Sequence, residues 1–123
     1  MHDPITLRSD DLAATISTYG ARLHRLVFRG QDVILHADPG THPTWHDVYP
    51  GAIVGPVANR VRGGQVAVNG TAFQMPCNEN GVTALHSGPE GLDRRSWSVT
   101  SQSDQHVTLH CTLADGDGGL PGN

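Results

Sequence analysis

The Asn-Gly pair at residues 69–70 constrains this chain more than any other local feature. It separates two alternating runs, QVAV at 65–68 and TAFQM at 71–75. Asn and Gly both tolerate the positive φ of a type I′ turn, whose twist matches that of the antiparallel strands it joins. Residues 65–75 therefore read as a β-hairpin. The same punctuation runs through the whole chain. Fifteen Gly and eight Pro in 123 residues leave room for short strands between turns and little room for helices.

The remaining strands follow from period-two patterning. A strand is expected over 5–8, closed by the turn Ser9-Asp10-Asp11. Residues 12–18 alternate, with Leu12, Ala14 and Ile16 on one face and Ala13, Thr15 and Ser17 on the other. Tyr19-Gly20 breaks that run, and 21–29 resumes it. There, strict alternation sets Arg22, His24, Leu26 and Phe28 against Leu23, Arg25 and Val27. Neither set is cleanly apolar, so the register of this strand is open. Gln31-Asp32 leads into 33–35. Residues 92–95 lead to Trp97 and a strand through Val99, and a turn over 101–105 precedes a strand over 106–113. In that last strand Val107, Leu109, Cys111 and Leu113 share one face. The fold class expected is all-β, a sandwich or barrel of short antiparallel strands. The chain shows no internal repeat or interdomain linker, so residues 1–123 are taken as one unit. It closes on DGDGGLPGN, turn composition with no strand after it, which reads as the front part of something longer.

Composition excludes several classes of function. Hydrophobic residues make up 37% and charged residues 16%, enough to build a core and too little charge for a disordered chain. Net charge is −4, and the eight basic residues are all Arg, scattered rather than clustered. A nucleic-acid partner needs a basic stripe, and none is visible. No apolar run reaches membrane-spanning length, and the N-terminus has no apolar signal region. A cytoplasmic protein without a membrane partner is expected. Cys77 and Cys111 form no CxxC and are read as free thiols.

The long loop over 37–50 carries His42, Trp45, His46, Asp47 and Tyr49. His42 and His46 have the spacing of a helical metal pair. Pro43 and its neighbouring prolines oppose the helix that the pair would need, so solvated or packing histidines are the better reading. DGDGG at 115–119 lacks the twelve-residue pattern of a calcium loop and reads as a turn. No metal and no cofactor are expected.

Two stretches carry candidate chemistry. Residues 51–64, GAIVGPVANRVRGG, place Asn59-Arg60 among four glycines in an otherwise apolar run. An Arg fork suits vicinal hydroxyls or carboxylates, or it ties down a loop carbonyl. Residues 85–88, LHSG, place His86 where a strand passes into a loop. A His there donates to a ligand oxygen, acts as acid or base, or bonds to local backbone. No P-loop, dinucleotide fingerprint or nucleophile elbow is present.

Taken in order, 51–64, Asn69-Gly70, Asn78, Leu85-His86-Ser87-Gly88, Gly91, Trp97 and the DGDGGLPGN segment resemble the aldose 1-epimerase (galactose mutarotase) family. The family pattern is roughly G-R-x-A-N-R-I, an Asn, L-H-G-G, a downstream Trp and D-G-x-x-G-x-P-G-N. The resemblance implies a large antiparallel β-sandwich, of which this chain is an incomplete N-terminal part. It implies interconversion of the α and β anomers of a free aldohexose by acid–base ring opening, without a cofactor. Arg60 matches the family's sugar-binding Arg, and His86 matches the His of LHGG; Asn59 lies in the same motif. Pro56 stands where the family has its first Arg, and Ser87 where it has the first Gly of LHGG. The catalytic acid, a His, and the base, a Glu, are expected beyond Asn123, so the chain by itself is expected to be inactive. His106, His110, Glu79 and Glu90 sit in no matching motif and are given no such role. Two alternatives stay open: a carbohydrate-binding sandwich without catalysis, and a hexose-6-phosphate 1-epimerase relative. Arg62 alone does not supply the basic cluster that a phosphate would want.

Overall fold

The computed structural model describes residues 4–36 and 48–122. In chain order its strands are β1 Ile5–Arg8, β2 Leu12–Ser17, β3 Arg22–Phe28, β4 Gln31–Asp32, β5 Arg60–Arg62, β6 Gln65–Val68, β7 Thr71–Gln74, β8 Thr83–Leu85, β9 Ser98–Gln102 and β10 Val107–His110. Three short 3-10 turns, Gly88–Glu90, Leu92–Arg94 and Asp117–Gly119, are the only helical elements among the described residues. Every strand pair is antiparallel, so the all-β class expected from the turn density is the class observed. The chain divides into two compact units. One comprises Met1–Ile53 and Ser96–His110, the other Val54–Arg95 and Cys111–Asn123.

The first unit holds a four-stranded sheet in the order β1-β2-β3-β4, and the pair β10-β9. The register of β3, open in the sequence, is settled by a bulge. Thr15 pairs with Arg25 and Ile16 with Leu23, so His24 is the extra residue of the bulge. The extra residue turns Leu23 onto the face that holds Leu26 and Phe28. Leu12, Ala14 and Ile16 lie opposite Phe28, Leu26 and Leu23, while Leu7 and Ile5 lie opposite Ala14 and Ile16. One face of the sheet is thereby apolar across three strands. The other face carries polar groups such as Thr15, and Arg25 there grips Asp32 of β4 through Nε at 2.6 Å and NH2 at 2.8 Å. Pairing in β4 ends at Asp32, and residues 33–35 are not a strand.

Loops complete this unit. The Trp97 N–H donates to Thr18 O at 2.8 Å, and Arg22, 2% exposed, donates from NH1 to Pro50 O at 3.0 Å. The Leu23 N–H donates to Gly51 O at 3.0 Å. A Cβ at Gly51 would lie 2.0 Å from Leu23 O, and its φ is +61°, so glycine is required at the head of the 51–64 stretch. Strand β10 stops at His110, three residues short of the strand expected over 106–113. A bulge between Thr108 and Leu109 leaves Thr100 of β9 unpaired across the ladder. The turn before β10 holds His106 between Ser103 and Ser101 hydroxyls at 2.6 and 3.1 Å.

The second unit contains the expected hairpin. Val68 pairs with Thr71, and the turn residues Asn69 and Gly70 have φ of 50° and 80°, as a type I′ turn demands. Strand β7 ends at Gln74, because Met75 turns inward: it is fully buried, and its N–H donates to Gly64 O at 2.7 Å. Residues 92–94 form a 3-10 turn, not the lead-in to a strand. The DGDGG segment is a turn held by its own aspartates. Asp117 accepts from the Ala114 N–H at 3.0 Å and from Arg95 NH1 at 2.9 Å, and Asp115 accepts from the Gly122 N–H at 2.8 Å. Gly119 packs against the chain beside Met75, where a Cβ would come within 1.9 Å of Gln74 O. Met75 and Ala84, both at 0% exposure, form the innermost part of this unit.

Candidate functional site

Strands β5 and β8 bring Asn59, Arg60 and His86 together. Arg60 pairs with Leu85, Val61 with Ala84, and Arg62 with Thr83. Just past the Arg60–Leu85 pair, two hydrogen bonds continue the ladder by other means. The His86 N–H donates to Asn59 O at 3.1 Å, and the Asn59 N–H donates to His86 Nδ1 at 3.0 Å. The imidazole accepts where a carbonyl would. That acceptance fixes the neutral tautomer with its proton on Nε2, which makes Nε2 the donor of the ring.

The local backbone is bent to allow this. Asn59 has φ of 64°, and its own Oδ1 accepts from the Arg60 N–H at 2.9 Å. Asn tolerates this conformation better than most residues because its short amide can satisfy a neighbouring N–H. Opposite it, His86, Ser87 and Gly88 have φ of 53°, 71° and 76° in succession. Left-handed geometry at non-glycine residues costs about 1–3 kcal/mol each and concentrates at functional sites. Ser87 stands where the family pattern has Gly, and its hydroxyl offsets the strain. It accepts from the Val57 N–H at 2.7 Å and donates to Val57 O at 3.0 Å, and the residue is 3% exposed.

Arg60 reaches a carboxylate that its sequence neighbourhood does not announce. Its Nε and NH2 donate to the two oxygens of Glu79, each at 2.7 Å, in a fork-to-fork pair. The Arg60 side chain is 59% exposed and that of Glu79 29%. The hydrogen bond from Arg60 holds the Glu79 carboxyl below its ordinary value. Partial desolvation pushes the other way, and the positive charges of Arg60 and of His86 when protonated add to the lowering. Asn78 secures this segment: its amide exchanges two bonds with the backbone of Leu85, at 2.7 and 3.1 Å. Glu79 also bridges to Thr83. Asn78 was visible as a landmark of the motif series; the role of Glu79 was not. The one available signal was that 78–79 must return alongside β8 to reach Arg60.

The other sequence candidates are not bonded to this cluster by any contact described, or fall outside the described residues. His42 and His46 belong to the latter. His106 and His110 lie in the first unit. Cys77 and Cys111 are both unbridged. No group of three or more His, Cys, Asp or Glu among the described residues could hold a metal ion, and no helix among them is long and apolar enough to cross a membrane. A cleft of about 410 Å3 in the second unit is lined by Pro56, Val57, Val68, Leu113 and Leu120 among others, without Asn59, Arg60 or His86.

The chemistry open to the cluster is hydrogen-bond donation. The Arg60 guanidinium and His86 Nε2 supply directional donors, and Glu79 supplies an ionised acceptor beside them. Such a set suits the oxygens of a polyhydroxylated ligand.

Comparison with known proteins gives the family and the fold. The family profile described as Aldose 1-epimerase matches residues 3–123. A probable aldose 1-epimerase of Arthroderma benhamiae is 37% identical over 120 residues, which are 89% of this chain and 27% of that protein. The galactose mutarotase of Bos taurus is 32% identical, over 94% of this chain and 35% of its own. Among solved structures, the GalM/aldose epimerase homologue from C. elegans superposes with a TM-score of 0.85 at 30% identity, covering 99% of this chain and 39% of that one. Galactose 1-epimerase from Lactobacillus acidophilus gives 0.78 at 30% identity, with 98% and 37% covered. The chain thus has the fold of part of these structures, and spans between about a quarter and two fifths of the length of these relatives.

Proposed function

We propose that this chain, which belongs to the aldose 1-epimerase family, supplies the sugar-orienting wall of a site that interconverts the α and β anomers of free hexoses. In that reaction a base takes the proton of the anomeric hydroxyl while an acid protonates the ring oxygen. The ring opens to the aldehyde, the C1–C2 bond rotates, and closure on the other face gives the second anomer. The chemistry needs positioned acid–base groups and donors aimed at the oxygens where charge develops. Arg60 and His86 are the donors in this reading, and Asn59 is the residue that holds His86 in place. None of the three is assigned as the acid or the base.

The observation that carries the reading is the Asn59–His86 lock. It fixes one imidazole tautomer and ties that ring to the residue that precedes Arg60 on the paired strand. A ring whose Nδ1 is committed to backbone has Nε2 as its donor, the role that a hydroxyl-binding site asks of it. Calorimetric titration of the chain with galactose and glucose tests this. Saturable binding that is lost in both Arg60→Ala and His86→Ala supports it; binding that survives both substitutions refutes it.

A carbohydrate-binding role without turnover is the second reading. It is favoured for the isolated chain by its coverage of 27–39% of its relatives. Polarimetry separates the two readings. The 123-residue chain should leave the mutarotation rate of α-galactose close to the uncatalysed one while still binding the sugar. A clear acceleration would place the acid and base within it.

A further inference from the structure

We infer that Glu79 is a specificity-determining residue: by closing the Arg60 fork with its own carboxylate, it makes the site select neutral sugars and reject anionic ones. The inference rests on the sugar-binding reading of Arg60.

The geometry supports a permanent neutralising partner rather than a chance surface pair. Both Glu79 oxygens are engaged, one by Nε and one by NH2, each at 2.7 Å. The carboxylate sits on a segment fastened from two sides. Asn78 exchanges two hydrogen bonds with Leu85, and Glu79 itself exchanges backbone bonds with Thr83, its N–H reaching Thr83 O at 3.0 Å. Leu85 and Thr83 belong to the strand that pairs with Arg60 and Arg62. Glu79 is therefore delivered to Arg60 by the same ladder that builds the site.

The consequence concerns charge. An exposed guanidinium without a carboxylate partner takes a carboxylate or phosphate in bidentate fashion, which is the strongest pairing available to it. With Glu79 in that position, the bidentate fork is engaged and an incoming anion gains least from it, while a neutral hydroxyl meets no repulsion. An incoming uronate or sugar phosphate must displace Glu79 or approach its negative charge, and like charges brought together give strong discrimination. Arg62 lies two residues from Arg60 on the same strand face. Removal of Glu79 would take a carboxylate away from a face that carries two guanidinium groups, and so favour an anion there.

The test is a titration of the chain and of Glu79→Gln with galactose and with galacturonate, at one ionic strength and near neutral pH. The quantity read is the ratio of the two dissociation constants. It should move toward galacturonate by about tenfold in Glu79→Gln, the scale of a hydrogen-bonded charge pair gained. Glu79→Asp keeps the charge and should keep the preference for galactose. Glu79→Ala removes the same charge and serves in its place if Glu79→Gln does not fold. A ratio unmoved in a folded neutral variant that still binds galactose overturns the role of Glu79 alone. Failure of the unsubstituted chain to bind galactose overturns the sugar site itself, and the inference with it.

Discussion

Asn59 and His86 hold each other through one backbone bond and one ring bond, 27 residues apart in the chain. The imidazole nitrogen occupies the place of a strand carbonyl. Replacing His86 with Ala leaves the Asn59 N–H without this acceptor. At an exposed position that costs about 1 kcal/mol, equivalent to roughly fivefold faster amide exchange at Asn59. Galactose binding should fall by a larger factor, because the Nε2 donor goes too. Exchange and titration on the same variant check both effects; equal losses would mean that the ring acts only through structure.

Ser87 combines a strained conformation with two bonds that offset it. Ser87→Ala keeps φ near 71° and removes both bonds to Val57, so it should destabilise the second unit by about 2–3 kcal/mol. Ser87→Gly also loses the bonds but relieves the strain, and should cost about 1 kcal/mol or less. Exchange of the Val57 amide orders the three proteins: Ser slowest, Gly intermediate, Ala fastest. An Ala variant as protected as the parent contradicts the account.

The Arg60–Glu79 pair sets a sign for acid sensitivity. The Glu79 carboxyl is held below its ordinary value in the folded chain, first by the hydrogen bond from Arg60. Its contribution is thus fully present above about pH 4.3, the unfolded glutamate value, and is lost as pH falls through the lowered folded value. Asp32 behaves in the same sense with Arg25 in the other unit. Carbon-detected NMR titration should show both carboxyls with midpoints below those of ordinary side chains. Arg60→Ala should restore only Glu79, and Arg25→Ala only Asp32.

Deletion of His24 tests the bulge. Without it Arg25 follows Leu23 directly, and strict alternation still places Leu23 opposite Ile16 and Leu26 opposite Ala14. The apolar face therefore survives, at a cost of about 1 kcal/mol or so from altered twist and lost contacts. Deletion of Arg25 lets His24 take its place opposite Thr15, so the alternation is the same and the added cost is the lost pair with Asp32. Nuclear Overhauser contacts between Ile16 and Leu23 that persist in both deletions would fit; their loss in the His24 deletion would not.

The legible parts of the sequence were those whose physics is local. Asn69-Gly70 announces a turn because two positive-φ residues have few other uses between alternating runs. The strands β1 and β2 follow from period two alone. Period two failed at β3, since a bulge at His24 breaks the alternation that any such reading assumes. It overran at 111–113 because an apolar alternation also suits extended chain outside a ladder. In the site, Asn59, Arg60 and His86 were legible as types of residue in motifs. The pairing of Arg60 with Glu79 spans 19 positions and depends on β8, a three-residue strand too short to declare itself. The division into two units, with residues 96–110 joined to the first, depends on contacts distant in sequence and left no local mark.

Met75 is the largest fully buried side chain in the second unit, and it is a thioether. Oxidation to the sulfoxide would put a polar oxygen on a side chain that has no exposed surface. Peroxide cannot reach that sulfur while the unit is shut. The rate at which Met75 oxidises therefore counts the openings of the unit that carries Arg60 and His86, and a bound sugar that steadies β5 and β8 should slow it.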